Sequence, residues 1–245
     1  MSLVLNSGFT IGPGVVLDSN PYIPPSVVSN GLVLHLDASN PNCYNAAPGI
    51  VPHLHGIDNL ITGLPQAGVF QNPSYSITWT DDGSASYFSW PSLYYPYDYI
   101  SITNEQNTYR DFTIVFQPDF SATSISSYAG LFAIDTDKSV RFEVINSTGP
   151  WTLPNPGNPD DWADDGTTYY VNGQASNTIV SGWNILGGAK NNAGFPEPSN
   201  LYIGTELLSQ RGFQGKIALV LMYNRVLTEQ DQLQNYNVLR ARFGL

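Results

Sequence analysis

From residue 31 onward, apolar residues recur in short runs separated by clusters of Gly, Pro, Asn, Asp and Ser. Gly31-Leu32-Val33-Leu34-His35-Leu36-Asp37 reads as a buried strand that stops at the turn cluster Ser39-Asn40-Pro41-Asn42. Residues 86–89 and 99–103 read as strands flanking a Tyr- and Pro-rich loop. In 112–116, Phe112, Ile114 and Phe116 share one face at a period of two. Residues 130–134 and 140–145 follow as a strand pair. The stretch 149–166, GPWTLPNPGNPDDWADDG, is too rich in Pro, Gly and Asp for a strand and reads as a long surface excursion. Residues 167–171 run into Asn172-Gly173, the strongest hairpin signal in the chain, and 182–186 and 201–204 continue the pattern. Residues 217–223 are almost continuously apolar, which marks a central strand covered on both faces. One helix is predicted, over 228–240, with Thr228 as its cap and Asp231 three residues on; Leu233 and Tyr236 then share a face. Many short strands and one helix predict an all-β sandwich.

Residues 1–30 break this pattern. LVLNSGFTIGPGVVL is apolar and β-prone but interrupted at Gly8, Gly12, Pro13 and Gly14, and Pro21, Pro24 and Pro25 then enforce extended backbone. Leu3, Leu5, Phe9, Ile11, Val15, Val16 and Leu17 are apolar, and residues 1–17 hold no charge. So short a segment cannot bury its own apolar groups and needs a partner surface. We expect 1–30 to be an extended docking arm and 31–245 the sandwich; the alternative makes the segment the sandwich's first strand and loop.

Composition narrows the function. Hydrophobic residues form 42% of the chain, enough for a core, while charged residues form only 12%. The net charge of −11, with nine Lys and Arg in all, argues against a nucleic-acid groove and against anionic membrane surfaces. The single cysteine, Cys43, excludes an internal disulfide and suits folding in a reducing cytoplasm. The opening MSLVLNSGF lacks a basic, then long apolar, leader pattern, and no apolar run is long enough to span a bilayer.

Three segments carry a resemblance: GLVLHLDASNP, then YFSW with DYISI, then FQGKIALVLMYNRVLTEQDQLQNYNVLRARFGL. Together they resemble the concanavalin A-like, laminin-G-like domains of tailed-phage structural proteins, those of cyanophages in particular. In that family a GLVLxLDA strand opens the domain, and a GKIAxVLxYNRxLT strand with a short helix closes it. FTIGPGVVL also resembles an N-terminal segment of cyanophage virion proteins. The resemblance implies a two-sheet antiparallel jelly roll with an extended N-terminal arm and one short C-terminal helix. One departure stands out: YYVNG (169–173) precedes Trp183, whereas laminin-G-like domains often place a Trp strand first.

Candidate chemistry is sparse. Retaining glycosidases need two carboxyl groups about 5–5.5 Å apart. The five glutamates, Glu105, Glu143, Glu197, Glu206 and Glu229, put no two on one strand, and His35, His53 and His55 lie in no nucleophile context. We therefore expect no enzyme activity. Asp135, Asp137, Asp160, Asp161, Asp164 and Asp165 offer oxygen ligands of the kind calcium uses, but without EF-hand spacing; we expect solvated turns and no cofactor, with calcium the alternative. His53 and His55 have no third ligand for zinc in sight. Between 90 and 99, Trp90, Tyr94, Tyr95, Tyr97 and Asp98 are candidate glycan contacts, since aromatic faces stack on sugar rings and carboxylates hold hydroxyls. Packing of a rigid loop over the sandwich edge is the plainer account of the same residues.

The expectation is a phage virion structural protein, a capsid decoration or cement subunit made in the host cytoplasm and displayed on the virion surface. Its partners would be other virion proteins and further copies of itself. The alternative is a tail fibre or baseplate protein that recognises a cell-surface glycan.

Overall fold

The computed structural model describes residues 3–4, 10–11, 26–44, 57–58, 60, 67–70, 77–90, 99–102, 109–119, 128–134, 138–143, 151–153, 168–189, 200–206 and 211–245. Their architecture is an all-β sandwich of two antiparallel sheets with one short helix, as the strand pattern predicts. The first sheet runs, edge to edge, Gln174–Ala175, Thr168–Val171, Asn184–Ala189, Asp111–Pro118, Gly215–Tyr223, Ser86–Trp90 and Thr78–Asp81. Leu32–Asp37 also pairs with Gly215–Tyr223, on residues 219–223, beyond the stretch 215–217 that Ser86–Trp90 occupies. The second sheet runs Thr178–Ile179, Trp151–Thr152, Lys138–Glu143, Tyr128–Ile134, Leu201–Ile203, Ile100–Ile102, Ala67–Phe70 and Ile57–Asp58.

Gly215–Tyr223 is the central strand, and it is covered on both faces. Ile217, Val220 and Met222 face the second sheet, while Leu219, Leu221 and Tyr223 face the helix. Simple alternation would not give that pattern. Against Asp111–Pro118 the register passes from Ile217↔Phe116 to Leu219↔Val115, leaving Ala218 as an extra residue. This bulge flips the phase, so an unbroken apolar run serves two cores. Phe112, Ile114 and Phe116 line the interior together, as their spacing predicts, and Asp111, Thr113 and Val115 fall on the helix side.

The Asn172-Gly173 hairpin is also present: both residues have positive φ (51° and 77°), and Val171 pairs with Gln174. In the excursion predicted over 149–166, the structure differs at its start. Trp151–Thr152 is a strand of the second sheet, and Trp151 and Leu153 are fully buried between the sheets. Two large apolar side chains in alternate positions outweigh the prolines that follow.

The helix spans Glu229–Leu239, capped by Thr228 with Asp231 in a reciprocal capping box, and continues as a 3-10 turn over Arg240–Phe243. Its buried side chains are Gln232, Asn235 and Leu239, whereas Leu233 and Tyr236 are half-buried.

Candidate functional site

The helix buries two amides over a polar patch of an otherwise apolar sheet face. Asp111, at the start of its strand, is wholly buried; its carboxylate accepts hydrogen bonds from the backbone N–H of Phe112 (2.7 Å) and Leu227 (2.7 Å) and from Gln232 Nε2 (2.9 Å). Burial pushes its pKa well above the usual carboxylate range despite these three donors. Gly187 makes room for this arrangement, since a Cβ there would stand 1.9 Å from Gln232 Oε1. One position along, Asn235 donates to Thr113 Oγ1 (2.9 Å) and the Tyr223 hydroxyl (3.0 Å).

The same Asn235 accepts the backbone N–H of Val28 at 2.8 Å. Val28 is buried on this side of the sheet, Gln234 Nε2 donates to Ser26 O (2.8 Å), and Arg225 Nε donates to Asn30 O (2.9 Å). Residues 26–30 are therefore fastened through their backbone to side chains of the terminal helix and of Arg225 just before it. Further along this face, Arg242 grips Asp37 with two nitrogens (2.7 and 2.8 Å). The nearby His35 is pushed below its ordinary pKa of 6.5 by burial.

The opposite broad face is built differently. In the second sheet, Ile100, Ile102, Leu201 and Ile203 point into the core, so Ser101 and Tyr202 point outward in register with each other and with Ala133. Tyr99 precedes this row as a diagonal neighbour of Tyr202. The two rings meet edge to face, centroids 5.4 Å apart at 83°, and both are half-buried. Burial and the neighbouring Tyr202 raise the pKa of the Tyr99 phenol, keeping it neutral. Such a pair offers a ring face beside a hydroxyl.

Of the candidate glycan contacts, Trp90 is described: it is 2% exposed and packs edge-on against Phe213 in the core. Tyr94, Tyr95, Tyr97 and Asp98 lie outside the described residues, as do Leu5, Phe9, Val15, Val16 and Leu17. For Leu3 and Ile11 the backbone is described: Leu3–Val4 pairs with Thr10–Ile11. Asp135, Asp137, 160–165, His53 and His55 are likewise outside the described residues, among which no three His, Cys, Asp or Glu side chains converge. Glu143 is placed by its backbone, opposite Tyr128 and Thr152. Sequence reasoning missed Tyr202, Gln232 and Asn235. For Tyr202 a signal was present, an aromatic in the outward phase of Leu201-Tyr202-Ile203.

No family model and no curated protein matches the chain. Among solved structures it is similar to a Trypanosoma rangeli sialidase in complex with the inhibitor DANA: 13% identity and a TM-score of 0.49, over 88% of this chain and 35% of that one. It is also similar to domain 4 of a GH43 extracellular arabinanase from Geobacillus stearothermophilus in complex with arabinotriose: 10% identity and a TM-score of 0.44, over 84% of this chain and 98% of that one. The chain thus spans about a third of the sialidases it matches. These likenesses are of fold, a lectin-type β-sandwich. They also correct one expectation. The absence of enzyme activity, inferred from scattered glutamates, is withdrawn: solved structures similar to this chain come from a sialidase and an arabinanase, and the relation is of fold alone. Loops from separate strands can bring carboxylates together as well as one strand can.

Proposed function

We propose that this chain is a structural protein of a phage particle: a capsid decoration or cement-type subunit that docks through residues 1–30 and displays its lectin-like sandwich on the virion surface. The supporting observation is the strand pairing near residue 1. Leu3–Val4 pairs with Thr10–Ile11, and among the described strands neither pairs with either sheet of the body. The segment reads as an element for another surface, and its charge-free run over 1–17 suits an apolar one. Burying about four of its apolar side chains contributes on the order of 6–10 kcal/mol before the cost of ordering the chain. One arm then holds weakly and several arms of an oligomer hold firmly. The resemblance of the closing strand and helix to phage virion domains supports the same reading. On it the chain is made in the host cytoplasm, its partners are other virion proteins, and it works without a cofactor.

Deleting residues 1–25 tests this. The shortened chain should stay folded and soluble but fail to join particles, and Phe9→Asp with Ile11→Asp should reproduce the defect. Incorporation of the shortened chain at normal copy number would assign docking to the sandwich instead. A tail fibre or baseplate protein that binds host glycan is the second reading, favoured by the outward Tyr99–Tyr202 pair.

A further inference from the structure

The two broad faces of the body are not equivalent. Residues 26–30, through which the arm joins the body, are fastened on the helix side of the first sheet by Asn235 and Gln234 of the helix and by Arg225 before it. The outward face of the second sheet is free of these ties and carries Tyr99, Ser101 and Tyr202.

We infer that this outward face is a binding platform for neutral, hexose-containing glycans, with Tyr99 and Tyr202 as its aromatic contacts and Ser101 as a hydroxyl partner beside them. The inference rests on the display of the sandwich proposed above and adds the face and the class of ligand. A pyranose ring has an apolar C–H surface rimmed by hydroxyls, so it suits an aromatic face set beside phenolic and alcoholic oxygens. The perpendicular rings supply both, one presenting its face and the other its edge. Ala133, opposite Tyr202 in the same row, is buried and adds only a methyl group beside the ring.

Charge selects among sugars. The described side chains of this row are uncharged, with no Lys or Arg to meet a carboxylate, and the chain as a whole carries −11. The chain's net negative charge disfavours sialylated and uronate-containing glycans. It does not disfavour neutral hexoses. A tyrosine pair that served only to hold two strands together would show no such preference and no ligand dependence.

The test is binding of the full chain to immobilised neutral glucans, galactans and mannans beside sialylated and uronate-containing glycans. We expect binding to at least one neutral class, weakened on the order of tenfold by Tyr202→Ala and by Tyr99→Ala and largely kept by Tyr202→Phe. Melting temperatures of the variants should stay close to the parent's. Should Tyr202→Ala lose its fold, amide shifts of Ser101 and Tyr202 in the unaltered chain, titrated with the bound glycan, give the same answer. Binding to no neutral class, preference for the acidic glycans, binding that survives both alanine variants, or unmoved Ser101 and Tyr202 shifts would each overturn the inference. Particle incorporation of Tyr202→Ala is read separately. A chain that docks normally but binds no glycan refutes the platform and leaves the arm standing, and the reverse result does the opposite.

Discussion

His35 and Asp37 stand two residues apart on one strand, and both feel Arg242, yet acid acts on them in different ranges. Burial lowers the pKa of His35 below 6.5, with Asp37 opposing and Arg242 assisting. The unfolded chain therefore binds this proton more readily, so stability falls as pH drops below 6.5 toward the folded value. Burial alone would raise Asp37, but the Arg242 guanidinium and the donors of Ser39 outweigh it and hold the group below 3.8. Its contribution is present above 3.8 and lost as pH falls through the folded value. Asp111 runs the other way: burial raises it, so the stability linked to it is greatest at low pH and declines as pH rises past 3.8. Comparing variants separates these contributions. His35→Gln should flatten the change in urea-unfolding stability between about pH 7 and about pH 5 relative to the parent chain. Identical slopes would mean that His35 keeps its hydration in the fold.

At the scale of elements, the terminal helix reverses the usual rule of apolar faces inward. Gln232 and Asn235 are buried while Leu233 is half-buried, because the sheet beneath presents Asp111, Thr113 and the Tyr223 hydroxyl. Asn235→Leu, an exchange toward greater hydrophobicity, should cost about 3 kcal/mol by leaving the Val28 N–H and two hydroxyls without their amide partner. Leu233→Gln should cost no more than about 1 kcal/mol. Urea unfolding of the pair decides it, and the opposite order would place the apolar face inward. This limit on reading the sequence is physical. Periodicity finds faces where burial is apolar, which is why Phe112, Ile114, Phe116 and the 217–223 run were legible. It is blind where polar groups bury one another, since Gln and Asn look alike in sequence whether solvated or bonded. Trp151 was obscured differently, by the prolines and aspartates just after it. The Tyr99–Tyr202 pair was half legible: Tyr99 stands in the aromatic stretch, but its partner is brought in by sheet order, which no local pattern encodes.

For the molecule as a whole, residues 26–30 are where the proposed docking arm and the stability of the body meet. A chain starting at residue 26 should melt like the full chain, whereas one starting at residue 31 should lose about 2–3 kcal/mol. The second cut removes the buried Val28 and leaves Asn235 Oδ1 buried without its donor. Thermal unfolding of the two truncations checks this, and equal melting would show that residues 26–30 contribute nothing to the fold.

The central position of Gly215–Tyr223 also sets the order in which this protein can be made. Leu32–Asp37, Ser86–Trp90 and Asp111–Pro118 all pair with it, and all precede it in the sequence. On a translating ribosome, strands that are neighbours only through this segment emerge early and must wait, their edges open. About 180 residues separate the first of them from its partner, which at ~5–20 residues/s is roughly 10–35 s of exposure. Sheet closure is then a late, long-range event, slow by topology and vulnerable to strand exchange between nascent chains. A chain released early would lack both the strand that joins its first sheet and the helix that fastens the arm's root. It would carry residues 1–30 on an unfolded body, so under the proposed docking role the late arrival of one strand would let only finished subunits be rigidly mounted.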